Sequence, residues 1–115
     1  MEGQIHKDLR ERAKQFSVAG IKFFRGLPKD TEAQICGRQF LRAVTSVGAN
    51  TRSAFRGRSP KEFKAKLGVV IEEADECGFW LEVMSETGIV KEEPARPLLT
   101  EANELVSIFT SIVKR

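Results

Sequence analysis

The sequence predicts an all-α fold, an antiparallel up-down-up-down four-helix bundle. Apolar residues recur at spacings of three and four along four separate stretches, which is the period of a helix face and not of a strand. The breaks between stretches are short and hold Gly, Pro and capping residues. Strand signals are sparse, with no Tyr and 4 Pro in 115 residues. At that length, 41% hydrophobic residues supply one core, and 30% charged residues cover it.

The first helix is predicted over about residues 5–25. Ile5, Leu9, Ala13, Phe16, Gly20, Phe23, Phe24 and Leu27 share its apolar face, and Gly26, Leu27 and Pro28 end it. His6, the one histidine, falls at the start of this helix and is expected at the surface. The second helix is predicted over residues 30–56, capped by Asp30 or Thr31. Its core face is Cys36, Phe40, Ala43, Val44, Val47, Thr51, Ala54 and Phe55. Small and polar residues interrupt it. Gly48 and Asn50 have poor helix propensity, so a closely approaching helix is expected at Gly48, and Asn50 is expected to bond across the bundle or an interface. A break at Gly57-Arg58 precedes the best-marked start. Ser59 is a good N-cap, Pro60 suits the first helical position, and Glu62 completes a capping box.

The third helix is predicted over residues 60–86. Phe63, Leu67, Val70, Ile71, Ala74, Cys77, Gly78, Leu81 and Met84 form its core stripe. Val69, Trp80 and Val83, with Phe79 nearby, form a second apolar patch that is expected to meet a partner subunit. Thr87-Gly88 ends this helix. Pro94 and Pro97 mark a loop, and the fourth helix is predicted over residues 97–114 on Leu98, Leu99, Ala102, Leu105, Val106, Phe109, Ile112 and Val113.

Charge is unevenly divided. Residues 1–66 hold 15 Lys/Arg and 6 Asp/Glu, a formal +9; residues 67–115 hold 4 and 10, a formal −6; together they give the net +3. Within the second helix Arg38, Arg42, Arg52 and Arg56 fall in an arc of roughly 80° along about 27 Å, with Thr45 and Ala49 between them. Guanidinium forks suit phosphate oxygens, so these four, with Arg58, Lys61 and Lys64, are the expected nucleic-acid contacts. The opposing reading is a stripe neutralised by acids of another helix. No aromatic residue is interleaved with these arginines, so phosphate charge and RNA shape are the expected determinants.

Enzyme chemistry lacks its parts. The cluster Glu72, Glu73, Asp75 and Glu76 suggests a bundle metal site, but such sites need Glu-x-x-His motifs and the one histidine is His6. There is no Ser-His-Asp set, glycine-rich phosphate loop or Cys-x-x-Cys. No catalytic residue, cofactor or metal is expected. Cys36 and Cys77 are expected as buried free thiols. No stretch resembles a signal peptide or a membrane span, so a cytoplasmic protein is expected.

Ser46-Val47-Gly48-Ala49-Asn50 resembles the Ser-hydrophobic-Gly-Ala-Asn segment of the four-helix bundle proteins encoded in intervening sequences of bacterial 23S rRNA genes. Arg58-Ser59, Glu62-Phe63 and Leu67 resemble that family's Arg-x-Ser-x-x-Glu-Phe-x-x-x-Leu segment with a one-residue difference in spacing. Glu73-Ala74-Asp75-Glu76 and Trp80-Leu81-Glu82 are similar to its third helix. The resemblance covers roughly residues 5–113. Where many members have Asn-Ile-Ala-Glu-Gly, this chain has Asn50-Thr51-Arg52-Ser53-Ala54, losing an acid and gaining an arginine. The resemblance implies a ring-like homo-oligomer, a pentamer. The chain is also similar to the accessory protein of diversity-generating retroelements, a basic pentameric bundle that binds a reverse transcriptase and nucleic acid. It supplies no catalytic residues. The function expected is a non-enzymatic, oligomeric RNA-binding protein, and the alternative is an adaptor whose ring docks a partner protein.

Overall fold

A computed structural model describes residues 2–115. Four helices follow one another: α1 (Glu2–Arg25), α2 (Thr31–Phe55), α3 (Pro60–Glu86) and α4 (Glu92–Val113). Each packs on the next in the chain, and α4 closes back on α1 at far fewer positions. The side-chain contacts run in opposite senses along each pair. Ser17 meets Gly48 while Phe24 meets Gly37, and Arg42 meets Glu76 while Ser53 meets Lys66, so α1 and α2, and α2 and α3, run antiparallel. The bundle is a rod of 44 × 21 × 21 Å, the shape of four helices side by side.

Phe40, Phe109, Leu67, Leu81, Met84 and Leu105 are the largest fully enclosed side chains. They come from α2, α3 and α4, which places the core axis nearer those helices than α1. Most of the expected core positions are buried. Ile5 is not: it stays 53% exposed, on the lining of an open cleft shared with Ile108 and Ile112 of α4. Cys77 is buried and Cys36 half-buried, both free thiols. Burial pushes the Cys77 thiol far above its ordinary range, with Glu73 and Glu76 adding to the shift, so it is an inert packing group.

The helix ends follow the local chemistry. The Asp30 carboxylate accepts from the Ala33 N–H at 3.1 Å, so Asp30 caps α2 and Thr31 begins it. Ser59 caps α3 by accepting from the Glu62 N–H at 3.1 Å, with Pro60 at the first helical position. The Glu62 carboxylate turns instead to Lys66, at 3.3 Å. Gly88, at φ +77°, takes the left-handed turn after α3, which costs a glycine little. One boundary departs from expectation. α4 begins at Glu92 and not at residue 97, so Pro94 and Pro97 lie inside it. Pro94 is in the first turn, where its missing N–H has no helical partner to lose, and Pro97 forfeits a bond to a carbonyl on an exposed face.

The tightest contact joins α1 to α2. Any side chain at Gly20 would overlap Val44, and any at Gly48 would overlap the Ser17 hydroxyl. That hydroxyl donates to the Val44 carbonyl at 2.6 Å and accepts from the Gly48 N–H at 3.1 Å. The approach expected at Gly48 is therefore made by α1. Asn50 does not bond across the bundle. Its amide donates to the Ser46 carbonyl at 3.0 Å and hydroxyl at 2.7 Å, because Ser46, four residues back, stands beside it on the same face of α2.

Charge also enters the seams. Arg12 clasps Glu101 with two bonds of 2.7 Å and approaches Glu104 at 3.5 Å, tying α1 to α4. The hydrogen bond that Arg12 donates to Glu101 leads the upward shift of its guanidinium pKa. In the α2–α3 seam, one Glu73 carboxylate oxygen is enclosed without a protein hydrogen-bond partner. Burial raises the Glu73 pKa, Glu76 and Glu72 add to the rise, and Arg42 opposes it.

Two predictions follow from these seams. Gly48→Ala should destabilise the protein by about 1–3 kcal/mol through overpacking, although alanine is the better helix former. Gly68→Ala, in open space on α3, should stabilise it by roughly 0.5–1 kcal/mol. Urea unfolding of both variants checks the pair, and a stabilised Gly48→Ala would remove the close-approach account. Glu73 holds its proton more tightly folded than unfolded. Its effect on stability therefore worsens as pH rises from the ordinary glutamate value of about 4.3 through its raised folded value. Glu73→Gln should melt roughly 2 °C higher than the parent at neutral pH and level with it at about pH 3.5. An equal gap at both pH values would assign the effect to packing instead.

Candidate nucleic-acid interface

The seven expected nucleic-acid contacts are all exposed, but they do not form one continuous stripe. Arg42 donates to a Glu76 carboxylate oxygen at 3.1 Å. The same oxygen accepts from the Trp80 indole N–H at 3.2 Å. An acid of α3 thus partly neutralises the middle of the stripe. Arg38 lies beyond it, about 21 Å along the helix from Arg52 by the rise per residue.

The other end gains charge. Arg52 and Arg56 form a ridge between two clefts. On the α3 side, Arg52, Ser53, Arg56, Arg58, Glu62 and Lys66 line a cleft of about 490 Å³. The Lys66 ammonium donates to the Ser53 hydroxyl at 2.8 Å, which draws its charge over α2. On the α1 side, the same two arginines face Lys7, Arg10, Glu11 and Lys14 across a cleft of about 250 Å³. A third, of about 370 Å³, runs on past Arg10, Lys14, Thr45 and Arg52. The cationic surface is therefore a band across α1, α2 and the start of α3, at one end of the rod. Lys61 and Lys64 extend it on α3.

Sequence reading missed Lys7, Arg10 and Lys14. They sit one helical turn apart on α1, a visible clue, but nothing in the chain showed that they face Arg52 and Arg56. The absence of interleaved aromatics also holds only along the chain. His6, Phe55 and Phe63 form a ring cluster with centroids 4.6 to 6.1 Å apart. The Arg10 guanidinium carbon lies 6.0 Å from the Phe55 ring centre. His6 is half-buried in this cluster, and not the free surface residue expected, because α1 begins at Glu2 and carries it over α2 and α3.

The second α3 patch is divided. Phe79 is 53% exposed and Val69 41%, while Trp80 and Val83 are half-buried and Trp80 packs on the core with Phe79 edge-on at 4.9 Å. Ile35 of α2 is exposed as well. Among the described residues, no three His, Cys, Asp or Glu side chains gather closely enough to hold a metal ion, and no helix is long and apolar enough to cross a membrane.

The comparisons agree with this architecture. A crystal structure of a protein of unknown function from the S23 ribosomal protein family of Bacteroides thetaiotaomicron superposes with a TM-score of 0.86 at 27% identity. The match covers 93% of this chain and 99% of that one. No curated protein matches the chain. The model of the 23S rRNA-intervening sequence proteins matches residues 7–111, all four helices, and the chain belongs to that family.

Proposed function

We propose that the protein binds nucleic acid, structured RNA in the first place, without catalysing a reaction, through the cationic band at one end of the bundle. The observation that carries this reading is the placement of Lys7, Arg10 and Lys14 against Arg52 and Arg56 in adjoining clefts, with Glu11 the one acid there. Like charges held this close repel, so the band destabilises the isolated fold and favours a polyanion that neutralises it. Arginine supplies paired donors for phosphate oxygens, and lysine a mobile point charge. Position follows from phosphate contacts, not from base edges.

The band predicts unequal roles for the arginines. Replacing Arg10, Arg52 and Arg56 together by Gln should weaken binding of an rRNA hairpin at least tenfold near ~0.15 M salt, and should lower the log–log salt slope by about 2. Arg42→Gln should change affinity less than about twofold, because Glu76 already holds that guanidinium. Anisotropy titrations over a salt series decide it. Equal affinity for parent and triple variant would remove the band. A stoichiometric protein recovered after nuclease treatment would put the adaptor reading in its place.

Self-association into a ring would repeat the band around the assembly and strengthen each weak contact. Exposed Val69 and Phe79 on α3 and Ile35 on α2 favour a protein contact on these two helices. The parent should scatter light as a multiple of 12.9 kDa, and Phe79→Ser with Val69→Ser should lower that mass. A parent mass of one chain would end the ring proposal.

A further inference from the structure

The cationic band ends at an opening in the bundle. The start of α1, the end of α2, the start of α3 and the end of α4 converge there, and the sparse α1–α4 contact leaves a cleft of about 1000 Å³. Its walls are apolar on two sides. The rings of His6, Phe55 and Phe63 form one side. Ile5, Ile108 and Ile112 contribute aliphatic surface, with Ile5 more than half exposed. The polar groups lie among these: the Ser107 and Ser111 hydroxyls and the charges of Lys64 and Arg115.

Phe55 joins this cleft to the band. Its ring helps line the cleft, and Arg10, which lines two of the cationic clefts, lies 6.0 Å from the ring centre. A strand whose phosphates follow Arg52, Arg56 and Arg10 therefore passes beside an apolar opening with more cations, Lys64 and Arg115, at its lining. From this we infer that the cleft receives an unpaired nucleobase of the bound strand, which rests on the nucleic-acid reading above.

The chemistry fits a base better than other apolar occupants. A base offers a flat π face to the aromatic wall and polar edges to hydroxyls, and its own phosphate to the cations. An apolar helix would leave Lys64 and Arg115 facing hydrocarbon, and an acidic peptide would match the charges but leave the aromatic wall without a flat partner. A base in a continuous duplex stays stacked on its neighbours, so the cleft selects loops, bulges and single strands over paired RNA.

The test uses the parent protein and three labelled RNA probes: a short single strand, the same backbone with its bases removed, and the corresponding blunt duplex. Anisotropy near ~0.15 M salt should show the single strand at least tenfold tighter than the baseless backbone, within the range for stacking of one base on an aromatic side chain. It should also bind tighter than the duplex. Phe63→Leu, which keeps an apolar side chain in the wall, should reduce the advantage of the base-containing strand and leave the Kd for the baseless backbone unchanged. Equal Kd values for the two strands, each with a steep salt slope, would overturn the cleft and leave the band standing. So would a duplex that binds tightest. No salt-dependent binding of any probe would overturn both.

Discussion

The close approach of α1 to α2 is the constraint on which the rest of the surface depends. Gly20 and Gly48 remove the side chains that would keep the two helices at an ordinary distance, and the Ser17 hydroxyl satisfies its own bonding by bridging two backbone groups of α2. The contact is specific in register as well as distance. A slip of one residue would bring a Cβ against the hydroxyl or leave a buried hydroxyl without partners, and a buried polar group left unpaired costs about 1–3 kcal/mol. With the register fixed, Lys7, Arg10 and Lys14 are held opposite Arg52 and Arg56. Apolar packing thus sets an electrostatic feature that repulsion alone would disperse.

Charge separates along the rod as a result. At the Trp80 end of the α2–α3 seam, Glu76 takes both Arg42 and the indole N–H, and Glu73 keeps one enclosed oxygen without a protein hydrogen-bond partner. At the other end, Glu62 is the acid available to Lys66 and the arginines around it. Arg52 borders three of the cationic clefts at this end.

Much of the fold was legible in the sequence because a helix face has a period that local spacing displays. Phe40, Ala43, Val44 and Val47 on α2, and Leu67, Val70, Ala74, Cys77 and Leu81 on α3, are buried where their spacing put them. The caps at Asp30 and Ser59 are local chemistry and were equally visible. What was not legible required knowing which helix lies beside which. The arginine stripe looked uniform along α2, yet Arg42 meets an acid 34 residues away while Arg52 and Arg56 meet further cations. Phe55 and Phe63 are separated by the corner at Gly57-Arg58, and His6 arrives from the far end of the chain. Pro97 misled for a different reason. Proline is a strong stop for a helix interior, but within the second turn and facing solvent it costs only one bond, and the start at Glu92 moved with it.

The weakest seam of the bundle is the one that opens onto this site. α1 and α4 meet sparsely, and the polar tie between them is concentrated in Arg12 with Glu101 and Glu104, near the middle of both helices. Between that tie and the open end, Leu9 still reaches the core, but Ile5 does not. Local opening is cheapest where few apolar contacts must be broken, so the α1–α4 seam is the one that parts at least cost. The α2–α3 and α1–α2 seams, which fix the positions of the arginines, are packed far more extensively. A bundle built this way keeps its charges in register even where its sparsest seam loosens.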